Sequence, residues 1–246
     1  IIQYLIRNIP IPQKVFIEFG VQDYTESNTR FLLINNNWSG LVLDASPAAI
    51  GYIKNDKIYT YYDLKAVDAF IDRDNINALI SSQGIAGDIG LLSIDIDGND
   101  YWVWEALTCV SPRIVICEYN SLFGAQDKVT IPYANNFMRT TAHFSNLYYG
   151  ASIAALEYLG KQKGYALVGS NSAGNNVFLV RNDILGKLPV VTAEQAYVQA
   201  KFRESRNENG NLTFLDFAQR LEMIREMPLI EVDTLKKLQV KDLGRP

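Results

Sequence analysis

Histidine, cysteine and long apolar runs are scarce in this 246-residue chain, and each scarcity narrows what the protein can be. His143 is the only histidine, and the two cysteines are Cys109 and Cys117. The spacing of the cysteines is not that of a metal centre, and both lie in apolar runs. We therefore expect two buried thiols in a protein of a reducing compartment.

Positive charge and membrane signals are also lacking. Lysine and arginine total 23 against 27 acidic residues, the net charge is −4, and the pI is near 5.1. Binding to a phosphate backbone needs a basic surface, so nucleic acid is not an expected partner. No apolar run approaches the ~18 residues of a membrane span. No signal peptide is visible at the start of the sequence, and the start at Ile1 suggests that the natural N-terminus was trimmed or is missing. The expectation is a soluble, cytoplasmic protein without a membrane partner.

Apolar, β-branched runs alternate with helix-like stretches in the first half of the chain. Strands are predicted at Val15–Phe19, Gly40–Leu43, Lys57–Tyr62, Leu91–Asp95 and Arg113–Cys117. Helices are predicted at Asn28–Asn36, Pro47–Lys54, Asn75–Ser81 and Tyr101–Cys109. The runs show little apolar–polar alternation, which is typical of parallel strands buried on both faces. An α/β fold with a doubly wound sheet is therefore predicted.

The second half of the chain departs from this alternation. A long loop is predicted over residues 118–145, followed by a helix at Tyr149–Lys163, a hairpin of Tyr165–Val168 with Val177–Val180, and two amphipathic tail helices at Ala193–Arg203 and Phe214–Glu226. The whole pattern predicts a mostly parallel seven-stranded sheet that ends in an antiparallel hairpin, with a C-terminal helical tail. Residues 1–190 would form the main domain, and residues 191–246 a helical extension packed on it.

Two strand ends have the residues of a nucleoside pocket. The run Val15-Phe-Ile-Glu-Phe-Gly20 ends in Glu18 and Gly20, and the next strand ends in Asp44. A glycine at such a turn lets a ligand approach the backbone, and a carboxylate at the second strand end can accept hydrogen bonds from both ribose hydroxyls.

Acidic residues also follow the fourth and fifth predicted strands. Asp95 and Asp97 share a face because they are two residues apart, and Glu118 with Asn120 would reach the same edge of the sheet. Oxygen ligands gathered there could hold Mg²⁺ or Ca²⁺, with Asp97, Glu118 and Asn120 as the candidate ligands. In the alternative interpretation, Asp97 and Asp100 cap the following helix.

The lone histidine lies in the long predicted loop. His143 could remove a proton from a substrate hydroxyl, because its pKa lies near neutrality, or it could be an ordinary loop residue.

Together, Glu18-Phe-Gly20, Asp44, the strand end Leu91-Leu-Ser-Ile-Asp-Ile-Asp-Gly98 and the hairpin resemble the Rossmann-like, S-adenosylmethionine-dependent methyltransferases. The resemblance covers about residues 15–181. Three further segments are similar to bacterial proteins near the FkbM group, which are associated with sugar, polysaccharide and natural-product modification: Asp95–Tyr101, Glu118–Asn120 and Tyr149–Ser152.

The resemblance implies a cofactor site for S-adenosylmethionine. Gly20 would lie under the methionine part with Glu18 nearby, and Asp44 would bind the ribose. The turn around Ala69 and Phe70 would flank the adenine. Asp95 would face the cofactor's amino group or the substrate. The chain departs from the family in the residues after Gly20, Val21-Gln-Asp-Tyr24, which are bulkier than the usual glycines and are expected to narrow the room over the cofactor.

A second resemblance, to metal-dependent sugar O-methyltransferases, involves Asp97-Gly98-Asn99 and Glu118-Tyr119. It implies Mg²⁺ as a second cofactor, although only one carboxylate is present at the second position. The predicted activity is O-methylation of a sugar, a nucleotide-sugar or a related metabolite, with His143 or Asp97 as the base. An NAD-dependent oxidoreductase and a non-catalytic binding module remain alternatives, and the tail helices could form a homodimer or pack within the chain.

Overall fold

The computed structural model describes residues 1–201 and 204–244. The strands are β1 (Val15–Phe19), β2 (Ser39–Asp44), β3 (Leu64–Asp68), β4 (Gly87–Ile94), β5 (Val110–Glu118), β6 (Val129–Thr130), β7 (Tyr165–Ser170), β8 (Asn176–Arg181), β9 (Pro228–Glu231) and β10 (Lys237–Gln239). The α-helices are α1 (Ile2–Asn8), α2 (Arg30–Asn36), α3 (Pro47–Asn55), α4 (Lys57–Tyr61), α5 (Ile76–Ser82), α6 (Asp100–Ala106), α7 (Arg139–Ala142), α8 (Ile153–Gln162), α9 (Ala193–Ala196) and α10 (Phe217–Met223). Short 3₁₀ turns cover Ser121–Phe123, Asn182–Ile184 and Val240–Asp242.

The predicted sheet is confirmed. Seven strands form one mostly parallel sheet in the order β3-β2-β1-β4-β5-β8-β7, with antiparallel strands at its end. A smaller sheet has the order β10-β9-β6, and both of its pairings are antiparallel. The helices and strands predicted in the first half agree with the structure to within a few residues, with one exception.

The chain divides into two compact units. The first comprises Ile1–Ile96, Trp102–Ile116 and Val180–Lys187, and the second comprises Asp97–Tyr101, Cys117–Leu179 and the residues from Leu188 onward. The central residues of β1 and β2 are buried, and Phe16, Ile17 and Leu41 are fully so. The core of the second unit is formed by Leu122, Phe123, Val129, Ile131, Leu147, Tyr148, Ile224, Leu229 and Val240. The domain boundary expected at residue 190 stays a prediction.

The strand predicted at Lys57–Tyr62 is wrong, because these residues form helix α4 and the third strand follows as β3. The Oδ1 atom of Asp56 accepts a hydrogen bond from the backbone N–H of Ile58 at 3.1 Å and caps the helix. Five residues that contain isoleucine, threonine and two tyrosines have a strand-like composition, and so short a run shows no helical period.

The predicted tail helices are real but shorter than expected. The first is α9, which ends where Tyr197 turns extended, and Arg203 at its predicted end lies outside the described residues. The second begins only after Asp216, because Phe214 has a left-handed φ of 51° and Asp216 forms a capping box with Gln219. The strands β9 and β10 follow.

Two further expectations from the sequence concern the cysteines and membrane-spanning helices. Cys117 is buried as predicted, whereas Cys109 is half-buried, and the two cysteines form no disulfide bond with each other. Among the residues that the structure describes, the helices are all too short or too polar to cross a membrane.

Candidate functional site

Strand β1 lies between β2 and β4, and all three run parallel. Glu18 on β1 is in register with Val42 on β2 and with Ser93 on β4. The chain leaves β1 toward one side of the sheet and reaches β4 on the other, so the carboxyl ends of β1 and β4 flank a topological switch point. Open α/β sheets bind ligands at this position.

Gly20 occupies the turn at the end of β1 and has a left-handed φ of +69°. Its N–H donates to the carbonyl oxygen of Leu43 at 2.9 Å. A Cβ atom at this position would lie 1.6 Å from the carbonyl oxygen of Asp95, just beyond β4. Only glycine therefore allows the first turn to lie directly against the end of β4.

The bulky residues after Gly20 are directed mainly into the core. Val21 is 4% exposed and Tyr24 is fully buried. The Tyr24 hydroxyl bonds to Thr29 Oγ1 at 2.9 Å, and burial raises the pKa of this tyrosine. Arg30 donates to the Tyr24 carbonyl oxygen at 3.1 Å. The sequence led us to expect bulky side chains over the cofactor. Those of Val21 and Tyr24 instead point into the core.

Glu18 anchors the loop between β1 and α2. Its carboxylate is 4% exposed and accepts hydrogen bonds from Asn28 N at 2.8 Å, Thr29 N at 3.1 Å and Thr29 Oγ1 at 2.5 Å. Burial raises the pKa of Glu18, while the bonds from Thr29 and Asn28 oppose the shift. Through these contacts Glu18 stabilises the loop between β1 and α2. Direct contact of Glu18 with a cofactor stays a prediction.

Asp44 joins three turns at the carboxyl ends of the strands. Its Oδ2 accepts from Gln22 N at 2.7 Å and its Oδ1 from Ser46 N at 2.8 Å. Its backbone carbonyl oxygen accepts from Ala69 N at 3.0 Å, which places the turn after β3 beside it. Phe70, the next residue, is 43% exposed. Since a carboxylate has about four lone-pair sites, Asp44 retains the capacity to bind two further donors.

In the second unit, the turn after β4 contains Asp97 with a left-handed φ of 55°. Its side chain is 52% exposed, and its Oδ1 accepts from Nη1 of Arg139 at 2.6 Å. A carboxylate oxygen of Glu118 lies within 4.8 Å of one on Asp97. The predicted pairing of Asp97 with Glu118 is therefore present. Asp100, the other candidate cap, accepts from Gly98 N at 2.9 Å where α6 begins.

Arg139 is the functional candidate that sequence reasoning missed. Its side chain is 18% exposed, its Nε donates to the carbonyl oxygen of Asn146 at 2.6 Å, and its guanidinium lies 4.0 Å from the ring centroid of Tyr149. Burial alone would lower the pKa of Arg139, but the Tyr149 and Asp97 side chains raise it. Arg139 begins the four-residue helix α7 within a segment whose sequence shows no period, so no local pattern identifies it.

Asn120 uses its amide group within the fold. Its Oδ1 accepts from Leu122 N at 3.1 Å, and its Nδ2 donates to the carbonyl oxygens of Leu147 and Tyr149 at 3.0 and 3.1 Å. A metal site built from Asp97, Glu118 and Asn120 stays a prediction. The contacts of Asn120, and the arginine on Asp97, do not fit it.

His143 contacts its own loop. Its Nδ1 lies 2.7 Å from Oγ of Ser145 and accepts from Ser145 N at 3.3 Å, and its ring stacks on Phe144 at 4.4 Å. Burial lowers the pKa of His143 below its ordinary value near 6.5, so the neutral ring predominates at pH 7. With Nδ1 as an acceptor, the proton of the neutral ring lies on Nε2. A catalytic role for His143 stays a prediction.

The expected cofactor residues thus assemble at one edge of the first unit: Glu18, Gly20, Asp44, Ala69, Phe70 and Asp95 all lie on or just after β1 to β4. The expected catalytic and metal residues Asp97, Glu118, Asn120 and His143 belong to the second unit.

No protein-family model matches the sequence, and comparison with curated proteins gives no match. Solved structures do show similarity. The N-terminal domain of EvdMO1 with SAH bound has 10% identity and a TM-score of 0.46, covering 73% of this chain and 78% of that one. An S-adenosylmethionine-dependent methyltransferase from Clostridium acetobutylicum has 11% identity and a TM-score of 0.46, with coverages of 73% and 88%.

A ribosomal protein L11 methylase from Lactobacillus delbrueckii subsp. bulgaricus has 12% identity and a TM-score of 0.42, with coverages of 73% and 74%. At these identities and TM-scores, the likeness supplies no argument about what this chain binds or does. The function must be argued from its own residues.

Proposed function

We propose that this chain is an S-adenosylmethionine-dependent methyltransferase that methylates a hydroxyl oxygen of a sugar, a nucleotide-sugar or a related metabolite. The observation that carries the proposal is the position of Asp44. Its carboxylate lies at the end of β2, and hydrogen bonds connect it to the first turn and to the turn after β3. A nucleoside needs this combination of a ribose acceptor with two adjoining turns.

Each part of the cofactor has a counterpart in the first unit. The ribose hydroxyls would donate to the remaining lone pairs of Asp44. The half-buried Ala69 and the exposed ring of Phe70 would flank the adenine. The methionine part would lie over Gly20, with Asp95 facing its amino group. When bound, the cofactor supplies an electrophilic methyl group for an in-line displacement.

The remaining task of the protein is to align the acceptor and to receive its proton. Burial lowers the pKa of His143, and the lone pair of its neutral ring lies on Nδ1, where it accepts from Ser145 N at 3.3 Å. His143 could therefore receive the acceptor's proton only after this bond breaks. Asp97 has one carboxylate oxygen bound by Arg139 and a side chain that is 52% exposed. We assign proton removal to this pair of candidates, and His143→Ala and Asp97→Asn distinguish them by which variant loses turnover.

A sugar-like acceptor is supported by the segments Asp95–Tyr101 and Glu118–Asn120, through their resemblance to sugar-modifying bacterial proteins. An acceptor screen of sugars and nucleotide-sugars tests this part. It follows only after cofactor binding has been established.

The decisive test is calorimetric titration with S-adenosylmethionine, S-adenosylhomocysteine and NAD. We expect micromolar binding of the first two ligands and a loss of at least about tenfold, or ~1.4 kcal/mol, in Asp44→Ala. Asp63→Ala is the matched control, because Asp63 is an exposed carboxylate just before β3 rather than after it. Binding of NAD alone would support an oxidoreductase. If none of these ligands binds the folded protein, the methyltransferase proposal fails and a non-catalytic module remains.

A further inference from the structure

The turn Asp97-Gly98-Asn99 holds a distant segment of the second unit. Asn99 is 3% exposed, and its Nδ2 donates to the carbonyl oxygen of Ala134 at 2.7 Å. A Cβ atom on Gly98 would lie 2.2 Å from a ring carbon of Phe137, so the Phe137 ring packs directly against the glycine backbone. Both contacts bring the chain that leads into α7 onto this turn.

The first residue of the turn, Asp97, binds the first residue of α7. Arg139 donates to Asp97 Oδ1 and to the Asn146 carbonyl oxygen, both at 2.6 Å. The Tyr149 ring lies 4.0 Å from the guanidinium carbon and restricts it on another side. An arginine with several fixed partners and little exposure is a rigid charge rather than a solvated one.

The second carboxylate of the acidic pair belongs to Glu118, which is 7% exposed. One of its oxygens lies within 4.8 Å of an oxygen of Asp97, the residue that Arg139 binds. The guanidinium bound to Asp97 therefore places a positive charge beside two close carboxylates. Close like charges need such compensation, which a divalent cation or a fixed arginine can supply.

We infer that Arg139 is the resident cation of this acidic pair, and that Asp97, beside Glu118, holds an arginine rather than a divalent metal. The predicted Mg²⁺ site is replaced by a positioning contact that fixes residues 134–139 on the turn after β4. Because the readout is cation binding, failure of S-adenosylmethionine to bind would leave this inference untouched.

The test uses terbium luminescence sensitised by nearby tyrosines such as Tyr149, together with calorimetry with Mg²⁺, Ca²⁺ and Mn²⁺. The wild-type protein is expected to show no saturable binding that depends on Asp97. Arg139→Gln removes the charge and leaves both carboxylates, so cation affinity should rise at least about tenfold. Arg225→Gln is the matched control, because Arg225 is an exposed arginine paired with Glu222 at 2.8 Å.

Circular dichroism and thermal melting establish that each variant is folded. Arg139→Lys retains the charge, so it should gain no cation binding even if it loses the stacking on Tyr149. Two results would overturn the inference: saturable binding by the wild-type protein that disappears in Asp97→Asn, or a folded Arg139→Gln that gains no affinity.

Discussion

At the scale of the residue, the most informative side chain is Glu18, whose position was predicted but whose partners were not. It is an almost fully buried carboxylate whose oxygens accept two backbone N–H groups and one hydroxyl at the start of α2. Hydrogen bonds to a buried charged acceptor contribute more than ordinary ones, and an unsatisfied donor is costly. Glu18 therefore stabilises the loop on which Asp44 also depends through Gln22.

This arrangement predicts the effect of Glu18→Gln. Glutamine has one acceptor oxygen and presents an NH₂ group to donors, so at least one N–H in this loop loses its partner. We expect the free energy of unfolding to fall by about 1–3 kcal/mol, measured by urea denaturation. Glu26→Gln, at an exposed position of the same loop, should change it little. Equal effects of the two substitutions would contradict the supporting role of Glu18.

At the scale of the element, the junction of β1 with β4 determines the shape of the edge. The turn at Gly20 has no space for a side chain, because the backbone carbonyl of Asp95 occupies it. A side chain at Gly20 would fit only if this carbonyl moved away, and that movement would require β1 and β4 to separate.

Gly20→Ala is therefore expected to cost about 2–4 kcal/mol, the sum of a left-handed alanine and an overpacked contact. Gly84→Ala is the control, since Gly84 has a similar φ of +74° but open space around its Cβ position. Its cost should be only about 1 kcal/mol. The two are compared by denaturant unfolding, and similar losses would mean that the close approach to Asp95 does not matter.

At the scale of the whole molecule, an ionic network connects elements of the first unit that are far apart in the chain. Asp88 at the start of β4 binds Arg113 of β5, with distances of 2.5 to 3.1 Å, and Arg181 of β8 at 2.8 Å. Arg113 also donates to the carbonyl oxygen of Pro10 at 2.9 Å. Burial would raise the pKa of Asp88, but the hydrogen bonds and charges of both arginines lower it.

The network predicts part of the acid sensitivity of the protein. Because the folded pKa of Asp88 lies below its unfolded value near 3.8, its contribution is full above that value and is lost as the pH falls through the folded pKa. Asp88→Asn should therefore lower stability at pH 7 and reduce the loss of stability between about pH 4 and pH 2. Urea denaturation at several pH values measures this. Asp63→Asn should retain the wild-type slope, and an unchanged slope in Asp88→Asn would disprove the assignment.

The succession of strands along the chain and the residues at their ends followed from the sequence because they depend on local pattern. Continuous apolar runs with helix-like segments between them specify parallel strands, and parallel strands place Glu18, Gly20 and Asp44 at one edge whatever the side chains later do. The same reasoning was wrong at Lys57–Tyr62, where one cap at Asp56 outweighs a strand-like composition.

Only the tertiary structure determined which side chains bind or pack against each other at the site. Arg139 lies 42 residues from Asp97 in the chain, and no periodicity connects them. The inward direction of Val21 and Tyr24 likewise depends on the space that the core offers. The sequence pattern reflects interactions between residues that are close along the chain, and these interactions determined the edge of the sheet. The partner of a buried charge is a residue that only folding brings near it, so the tertiary structure determined the contacts at that edge.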